Sequence, residues 1–446
     1  MKVTGVHIED FHQFKNLDID LTYPKGHEKE GEPLEKVCII GQSSTGKTKL
    51  LEIIGGLTYN HRSFREKYSF HNKNGYVFIK GIDIAYSQSL GPHEYAQMYN
   101  QNQNGFVIDN RSFQEKMAVN AVSAIPNLIL YPAELNYVVS HDLVIDDFNR
   151  KEIIDFSIES ASLIWNIILQ NVQKYQEEEF KIRQQISRVV EDNRNDLKAI
   201  TNALKVLEEW QKTSFNPIED IAEKCLNPIL EKFHLRVKTK LDIQKKDDIG
   251  FIKIEDFNGN EIPYGLWSTG TKQVVLSALP LYLLKPNRTI ILFDEPERSL
   301  YPDLQRVIID YYLQLTTDCQ LFFATHSPII ASSFEPWEII ELKFNKDGHV
   351  HQELYYDGER HVDNYTITPN YLTYDLMLRN VFDLKETYPA IRDEKITEVL
   401  MLRNQLEKLK KEKKLDTTAG KRLYDKYMKL AKKLSWEFEL PQYEEA

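Results

Sequence analysis

Cysteine is nearly absent from this chain: three occur in 446 residues, Cys38, Cys225 and Cys319, with no CxxC pair among them. That excludes a disulfide framework or a cysteine-based zinc site and fits a reducing cytosol. Long apolar runs are missing too. The longest, 274–284, is broken by Ser277 and Pro280 and is too short to span a bilayer. The opening residues carry Glu9 and Asp10 and no signal-peptide core. No membrane association is therefore expected, and a cytoplasmic location is. Positive charge is in deficit, with 56 Lys+Arg against 67 Asp+Glu and a net charge of −11. Overall attraction thus cannot drive nucleic-acid binding, and DNA would need a local basic patch. No internal repeat or low-complexity tract stands out. What remains, 42% hydrophobic and 28% charged residues, is ordinary globular material at about three times the ~150 residues of a typical domain.

Along the chain, residues 1–11 alternate as a strand, and 16–21 alternate as its half-buried partner. Lys36-Val-Cys-Ile-Ile40 is a short apolar strand of the buried kind, ending at Gly41 before a helix from Lys47. Residues 60–120 are rich in Asn, Gln and Tyr and give mixed signals, while 127–131 is another buried strand closed by Pro132. From about Phe148 to Gln185, Ile154, Ile158, Ala161, Ile164, Ile168, Val172 and Tyr175 recur at helical spacing. A polar break at 191–196 separates that stretch from a second helix over 197–211. Together they read as a helical hairpin whose apolar stripe is its own packing seam, its longer arm at most roughly 50 Å. A helix over 218–233, strands near 234–239 and 250–256, and a turn at Asn258-Gly259 follow.

Gly41-Gln-Ser-Ser-Thr-Gly-Lys-Thr48 fits GxxxxGK[ST] in full. In such a loop Gly41, Ser43, Ser44, Thr45 and Gly46 turn backbone N–H groups onto a phosphate, and the following helix adds its positive end. Lys47 would reach β- and γ-phosphates, and the Thr48 hydroxyl would ligate Mg²⁺. Thr289-Ile-Ile-Leu-Phe-Asp-Glu295 is an apolar strand ending in two carboxylates, the place for a Mg²⁺-orienting Asp294 and a water-activating Glu295. A second buried strand, Leu321-Phe-Phe-Ala-Thr-His326, ends in a histidine placed to sense the γ-phosphate. Ser268-Thr-Gly270-Thr-Lys272-Gln273 opens a further helix, 274–284, giving a second phosphate-friendly N-terminus.

In this order the motifs resemble the ABC-type ATPases: Walker A at 41–48, signature at 268–273, Walker B at 290–295, D-loop at 299–302 and switch histidine at His326. The resemblance covers roughly residues 1–340. It implies an α/β P-loop fold, the ABC-ATPase head, with a short helical-hairpin insertion and a helical C-terminal extension. It also implies ATP and Mg²⁺ as ligands, Glu295 as general base and His326 as switch. Two subunits would sandwich ATP, with Ser268, Gly270, Lys272 and Gln273 serving the partner's site. The opening Ile8-Glu-Asp-Phe-His-Gln-Phe resembles the first strand of the SMC, RecF and OLD-type group. Asp294-Glu-Pro-Glu-Arg-Ser-Leu-Tyr-Pro302 is similar to the DEPExxLHP of its bacterial defence members. His12 stands where relatives often carry Arg or Lys, Tyr301 replaces the usual His, and Trp267-Ser268-Thr269 replaces Leu-Ser-Gly. No Gln follows the strand ending at Tyr131, where Glu134 sits, so the Q-loop residue is not identified.

After His326 there is no Asp-x-Asp strand end and no HNH pattern, so the chain is not expected to cut nucleic acid itself. Residues 371–384 and the basic helices after them resemble the tails of stand-alone antiphage-defence ATPases. These are the PtuA subunits of Septu systems, which work with a separately encoded HNH nuclease, with the AriA subunits of PARIS systems as rival. A RecF- or SMC-like repair ATPase, or an ATP-bound scaffold of slow turnover that restrains a nuclease, are the alternatives. The expected domains are 1–148 (Walker A lobe), 149–214 (hairpin), 215–344 (signature, Walker B, D-loop and switch) and 345–446 (helical docking region). In the last, 391–434 carries 14 Lys+Arg against 7 Asp+Glu, and the close from Glu437 is acidic. Leu406, Leu409, Leu423 and Leu430 have no evident core elsewhere, which favours docking, against the chain itself, a second subunit or a nuclease, over DNA binding.

Overall fold

The structure, a computed structural model, describes residues 2–59, 77–82, 97–100, 105–108, 128–135, 153–156, 162–192, 196–239, 252–384 and 390–435. The boundary at 148/149, most of the 60–120 stretch and the acidic close from Glu437 lie outside the described residues. The chain divides into two compact units, Met1–Leu372 and Thr373–Ala446.

The first unit is built on a ten-stranded sheet, and its order follows from which strands are apolar on both faces. Strands β1 (Lys2–Phe11) and β2 (Phe14–Asp20) form an antiparallel hairpin. β3 (Lys36–Gly41) leads into helix α1 (Lys47–Tyr59). Then come β4 (Val77–Ile82), a separate pair β5 (Gln97–Asn100) and β6 (Gly105–Ile108), β7 (Leu128–Tyr131) and β8 (Ile153–Asp155). Helices α2 (Ser162–Asp192) and α3 (Leu197–Thr213) make a helical spur. At ~1.5 Å per residue α2 is about 46 Å long. Ile164, Trp165, Ile168 and Val172 are buried, and Tyr175 stacks on Trp210 at 4.9 Å across the seam. Asp196 caps α3 by accepting the N–H groups of Lys198 and Ala199.

The expected helix at 218–233 is interrupted. Pro217–Ile221 (α4) passes into a π-turn, Ala222–Leu226, then Asn227–Leu230 (α5) and a 3-10 turn to Phe233. A small sheet of β9 (Leu235–Val237), β10 (Ile254–Asp256) and β11 (Glu261–Ile262) precedes α6 (Thr269–Leu284). The remaining elements are β12 (Ile290–Asp294), α7 (Pro302–Gln314), β13 (Gln320–Ala324), α8 (Pro328–Ala331), β14 (Ile339–Phe344) and β15 (Val350–Glu353).

The large sheet runs β4-β1-β2-β15-β14-β3-β13-β12-β7-β8, and from β14 to β8 every pairing is parallel. Apart from Asp294 at the end of β12 and Gln320 at the start of β13, both strands are apolar, and all but Asp294 is buried, as parallel strands covered by helices must be. In register, Tyr131, Phe293 and Phe323 of neighbouring strands stack at 4.7 and 5.0 Å, and Tyr312 of α7 stacks on Phe293 at 4.5 Å. Such aromatic pairs add about 0.5–1.5 kcal/mol each beyond area burial, and here they hold β12 where the site needs it.

Two differences from the sequence reading have physical reasons. Residues 153–155 are a strand rather than helix: the β-branched pair Ile153-Ile154 extends the sheet beside β7, and Ile154 is buried there. The sheet also continues past residue 344, because β15 pairs with both β14 and β2.

The second unit holds α9 (Tyr374–Asn380) and a hairpin of α10 (Ala390–Lys411) and α11 (Thr418–Leu434). Here an expectation is corrected. Leu406, Leu423 and Leu430 do have a core: they pack between the two helices with Val399, Leu402, Tyr427 and Leu434. The apolar stripe is the hairpin's own seam. Among the described residues, no helix is long and apolar enough to cross a membrane.

Candidate nucleotide site

The site lies where β3, β12 and β13 end side by side, and each supplies one part of it. After β3 the chain turns through Gly41 and Gly46 into α1. Gly46 has φ +92°, and a Cβ there would lie 2.2 Å from Gln13 Nε2 and 2.7 Å from Phe14. Only glycine lets the loop pass this closely under the β1–β2 turn. Ser44, at φ +68°, takes the left-handed conformation without being glycine.

Lys47 folds back over the loop, its Nζ donating to the carbonyls of Gly41 at 2.9 Å and Gln42 at 3.2 Å. Burial pulls its ammonium down to about 8, against the pull of Asp294, Glu295 and Glu297. The Thr48 hydroxyl meets both carboxylate oxygens of Asp294, at 3.0 and 2.9 Å. Burial pushes Asp294 above the usual carboxylate range, the Thr48 hydrogen bond pulls it back, and Glu295 and Glu52 push it further up. Thr48 in the first turn of α1 and Asp294 at the end of β12, both hard oxygen donors, suit Mg²⁺. The glycine-lined loop and Lys47 suit a polyphosphate.

Glu295 follows β12 at φ +47°, fixed by its N–H donating to Ala324 O at 2.8 Å and its carbonyl accepting from Arg298 N–H at 3.0 Å. His326 Nε2 lies 4.0 Å from Glu295 Oε1, both side chains about two-fifths exposed. Burial and then Lys47 lower the His326 pKa, while Glu295 raises it. Lys47, Thr48, Asp294, Glu295 and His326 therefore converge on one surface, as their motifs imply.

One residue the motif reading passed over belongs here. Glu297 Oε1 accepts the backbone N–H of His326 at 2.9 Å, tying the segment after β12 to the loop after β13. Burial raises the Glu297 pKa, with Thr325 and the His326 N–H pulling it down. The only sequence signal was the second Glu in Asp294-Glu-Pro-Glu297. A parallel tie runs from Ser327 Oγ to Gln305 Oε1 at 2.6 Å, with Gln305 Nε2 donating to Leu300 O at 2.8 Å. Glu134 sits after β7 and pairs with Arg298 at 3.5 Å.

The signature residues occupy the N-terminus of α6. Ser268 caps the helix by accepting Thr271 N–H at 3.0 Å and remains exposed. Lys272 lies over the Tyr264 ring at 4.8 Å, and Gln273 is buried. Gly270 presses against the D-loop: a Cβ on it would lie 2.5 Å from Ser299 O.

Residues 1–331 match the family described as AAA_15, AAA ATPase domain. Among solved structures, the chain is similar to the Smc head domain with an extended coiled coil bound to the C-terminal domain of ScpA, derived from Pyrococcus furiosus. That match has 14% identity and a TM-score of 0.43, and covers 79% of this chain and 96% of that one. The SMC head domain from Thermotoga maritima is similar at 13% identity and a TM-score of 0.39, covering 79% and 99%. No curated protein sequence matches the chain significantly.

Proposed function

The chain belongs to the AAA_15 family of AAA ATPase domains, and on that premise we propose that it hydrolyses ATP to ADP and phosphate at this site. The observation that carries the reading is the Thr48–Asp294 contact at 2.9–3.0 Å, which joins the P-loop to the end of β12 beside Glu295. Mg²⁺, when bound by Thr48 and Asp294, supplies positive charge against the β- and γ-phosphates. Lys47 leaves the carbonyls of Gly41 and Gln42 for the same phosphates. Glu295 accepts a proton from the water attacking the γ-phosphorus. The new P–O bond forms as the bond to the bridging oxygen breaks, and ADP departs. His326 stands beside Glu295 at the γ-phosphate end. Glu295→Gln should bind ATP normally and lose most turnover, because it removes the base and leaves the phosphate contacts in place. Hydrolysis by that variant at the wild-type rate refutes the assignment.

The site is completed in our reading by a second copy of the chain. Ser268, exposed at the start of α6, with Gly270, Lys272 and Gln273 serves the γ-phosphate held by the partner's P-loop, so a dimer or a multiple of dimers forms with ATP and Mg²⁺. The assembly controls a separately encoded nuclease, of HNH type as in Septu systems, and acts in cytoplasmic antiphage defence. What supports this reading is the DEPExxLHP-like segment and the lack of Asp-x-Asp and HNH patterns after His326. Phage challenge of cells carrying the chain and its neighbouring genes tests it: Lys47→Ala should abolish protection, and protection without any nuclease gene overturns the partner assignment.

A further inference from the structure

Pairing of the α10–α11 hairpin through its own core leaves one feature unused, its charge. Residues 390–405 carry three basic and three acidic side chains, whereas 406–435 carry eleven basic and four acidic, so the whole excess of seven lies in the second half. On α11 the buried or half-buried positions, Gly420, Leu423, Tyr424, Tyr427, Leu430, Ala431 and Leu434, fall on one side. Arg422, Lys426, Lys429 and Lys433 recur at four-, three- and four-residue intervals on the opposite, exposed side, flanked by exposed Lys421 and Lys432. At 3.6 residues per turn the four form a stripe about 16 Å long. Asp425 is the one acidic residue on this exposed face. Lys426 pairs with Glu398 of α10 at 2.9 Å.

We propose that the outward face of α11 is a nucleic-acid backbone interface, recognising phosphates without reading sequence. Charge complementarity selects the class of partner, and composition separates it from a protein. Five of the six cations are lysines, the residue depleted from protein–protein interfaces. The only large apolar side chain exposed among them is Met428, so the face has no aromatic or aliphatic anchor for a protein partner. Lysines spaced along one helix face instead track a rod that carries about one charge per 1.7 Å. Against the chain's net −11 the basic end of this hairpin is a local exception, and the stripe is its part on α11. This inference does not depend on the ATPase reading, because its residues lie in the second compact unit.

The test is fluorescence polarisation of a labelled 30-base-pair duplex with the full chain, titrated between about 50 and 200 mM salt. Wild type should lose on the order of 10³-fold in affinity over that range if all six cations meet phosphates. The variant R422Q/K429Q/K432Q/K433Q keeps Lys426 and the hairpin core. It should bind about 100-fold or more weakly at low salt and show a slope shallower by up to about 3.6, at ~0.9 per phosphate. Unchanged helical content by circular dichroism shows that the fold persists. A matched variant on the spur, K174Q/K181Q/K198Q/K205Q, should bind as wild type. The proposal is overturned if wild type binds no duplex at 50 mM salt, or if the spur variant loses as much as the α11 variant. It is equally overturned if the α11 variant keeps full DNA binding and instead stops co-purifying with a nuclease, which would make the face a protein-docking surface.

Discussion

Glu297→Ala should slow ATP turnover much more than it destabilises the protein, and Glu297→Gln should recover most of the loss. Glu297 Oε1 holds the His326 N–H at 2.9 Å and so fixes the loop after β13 relative to the segment after β12. A hydrogen bond to a charged group contributes about 1.5–3 kcal/mol. If that is lost only when the loop must hold its catalytic position, kcat falls roughly 10- to 150-fold at about 1.4 kcal/mol per tenfold. The cost to stability is smaller. His326 is exposed, so water can take over its N–H, and melting should drop by a few degrees at most. Glutamine keeps a carbonyl oxygen of the same reach. Single-turnover hydrolysis, with ATP affinity measured separately, reads the two effects apart. Wild-type kcat for Glu297→Ala, or a glutamine variant as impaired as alanine, refutes the positioning role.

Lys47 makes nucleotide affinity pH-dependent. Burial holds its free-protein pKa at about 8 and phosphates require the ammonium, so ATP binding takes up a proton above that pH. Affinity should be flat below about pH 8 and weaken by up to about tenfold per pH unit above it; a flat profile in fluorescent-nucleotide titrations to pH 9.5 contradicts this. Gly270→Ala sets a helix-propensity gain of about 1 kcal/mol against overpacking on Ser299 O at 2.5 Å, costing about 1–3 kcal/mol. The melting temperature should fall by a few degrees, and a rise with unaltered turnover would show that the D-loop yields freely. Glu338, buried beside Lys36, is raised to about 7. The folded state therefore keeps its proton between about 4.5 and 7, where the unfolded chain has released it, and stability falls as pH rises through that window. Glu338→Gln should remove a fall of about 3 kcal/mol. Urea unfolding at pH 5 and 8 checks it, and an identical pH dependence in the variant sinks it.

The parts of the site legible in the sequence are those that one strand or one loop carries whole. Gly41 to Thr48 announces a phosphate loop by itself, and β12 and β13 announce Asp294 and His326 as the polar ends of apolar runs. Glu297 was not legible. Its role depends on β12 and β13 pairing in register, Asp294 against Ala324, which brings residue 297 to residue 326 with no local trace. The strand at 153–155 is hidden for a related reason: Ile154 fits the helical spacing of the residues after it, and only its pairing with Ile129 makes it a strand. In the tail, both apolar stripes were visible, but not that each was the other's partner. The turn that closes them is written locally, in Thr417 capping α11 through Gly420 N–H at 3.2 Å. That cap marks a hairpin, in which the leucines share one core and charge is the feature left to explain.

Backbone conformation ties the catalytic segments together in a way side-chain types do not express. Ser44, Glu295 and Ser299 have φ of +68°, +47° and +63°, and none is glycine. Left-handed non-glycine residues cost on the order of 1 kcal/mol each and persist only where the surroundings fix them. Asn or Gly would relieve the strain at these points, yet the chain keeps Ser, Glu and Ser. At Glu295 the reason is geometric. The residue must leave the buried end of β12 and aim its carboxylate toward His326, and the left-handed turn, pinned by Ala324 O and Arg298 N–H, does so within one residue. Ser299 performs the matching turn four residues later, so that its carbonyl meets Gly270 at the start of α6. A shift at Ser299 therefore reaches both Glu295, the proposed general base, through the 295–299 segment, and the start of α6, through the Ser299–Gly270 contact. On the two-subunit reading proposed above, that short stretch would link one nucleotide pocket to the other.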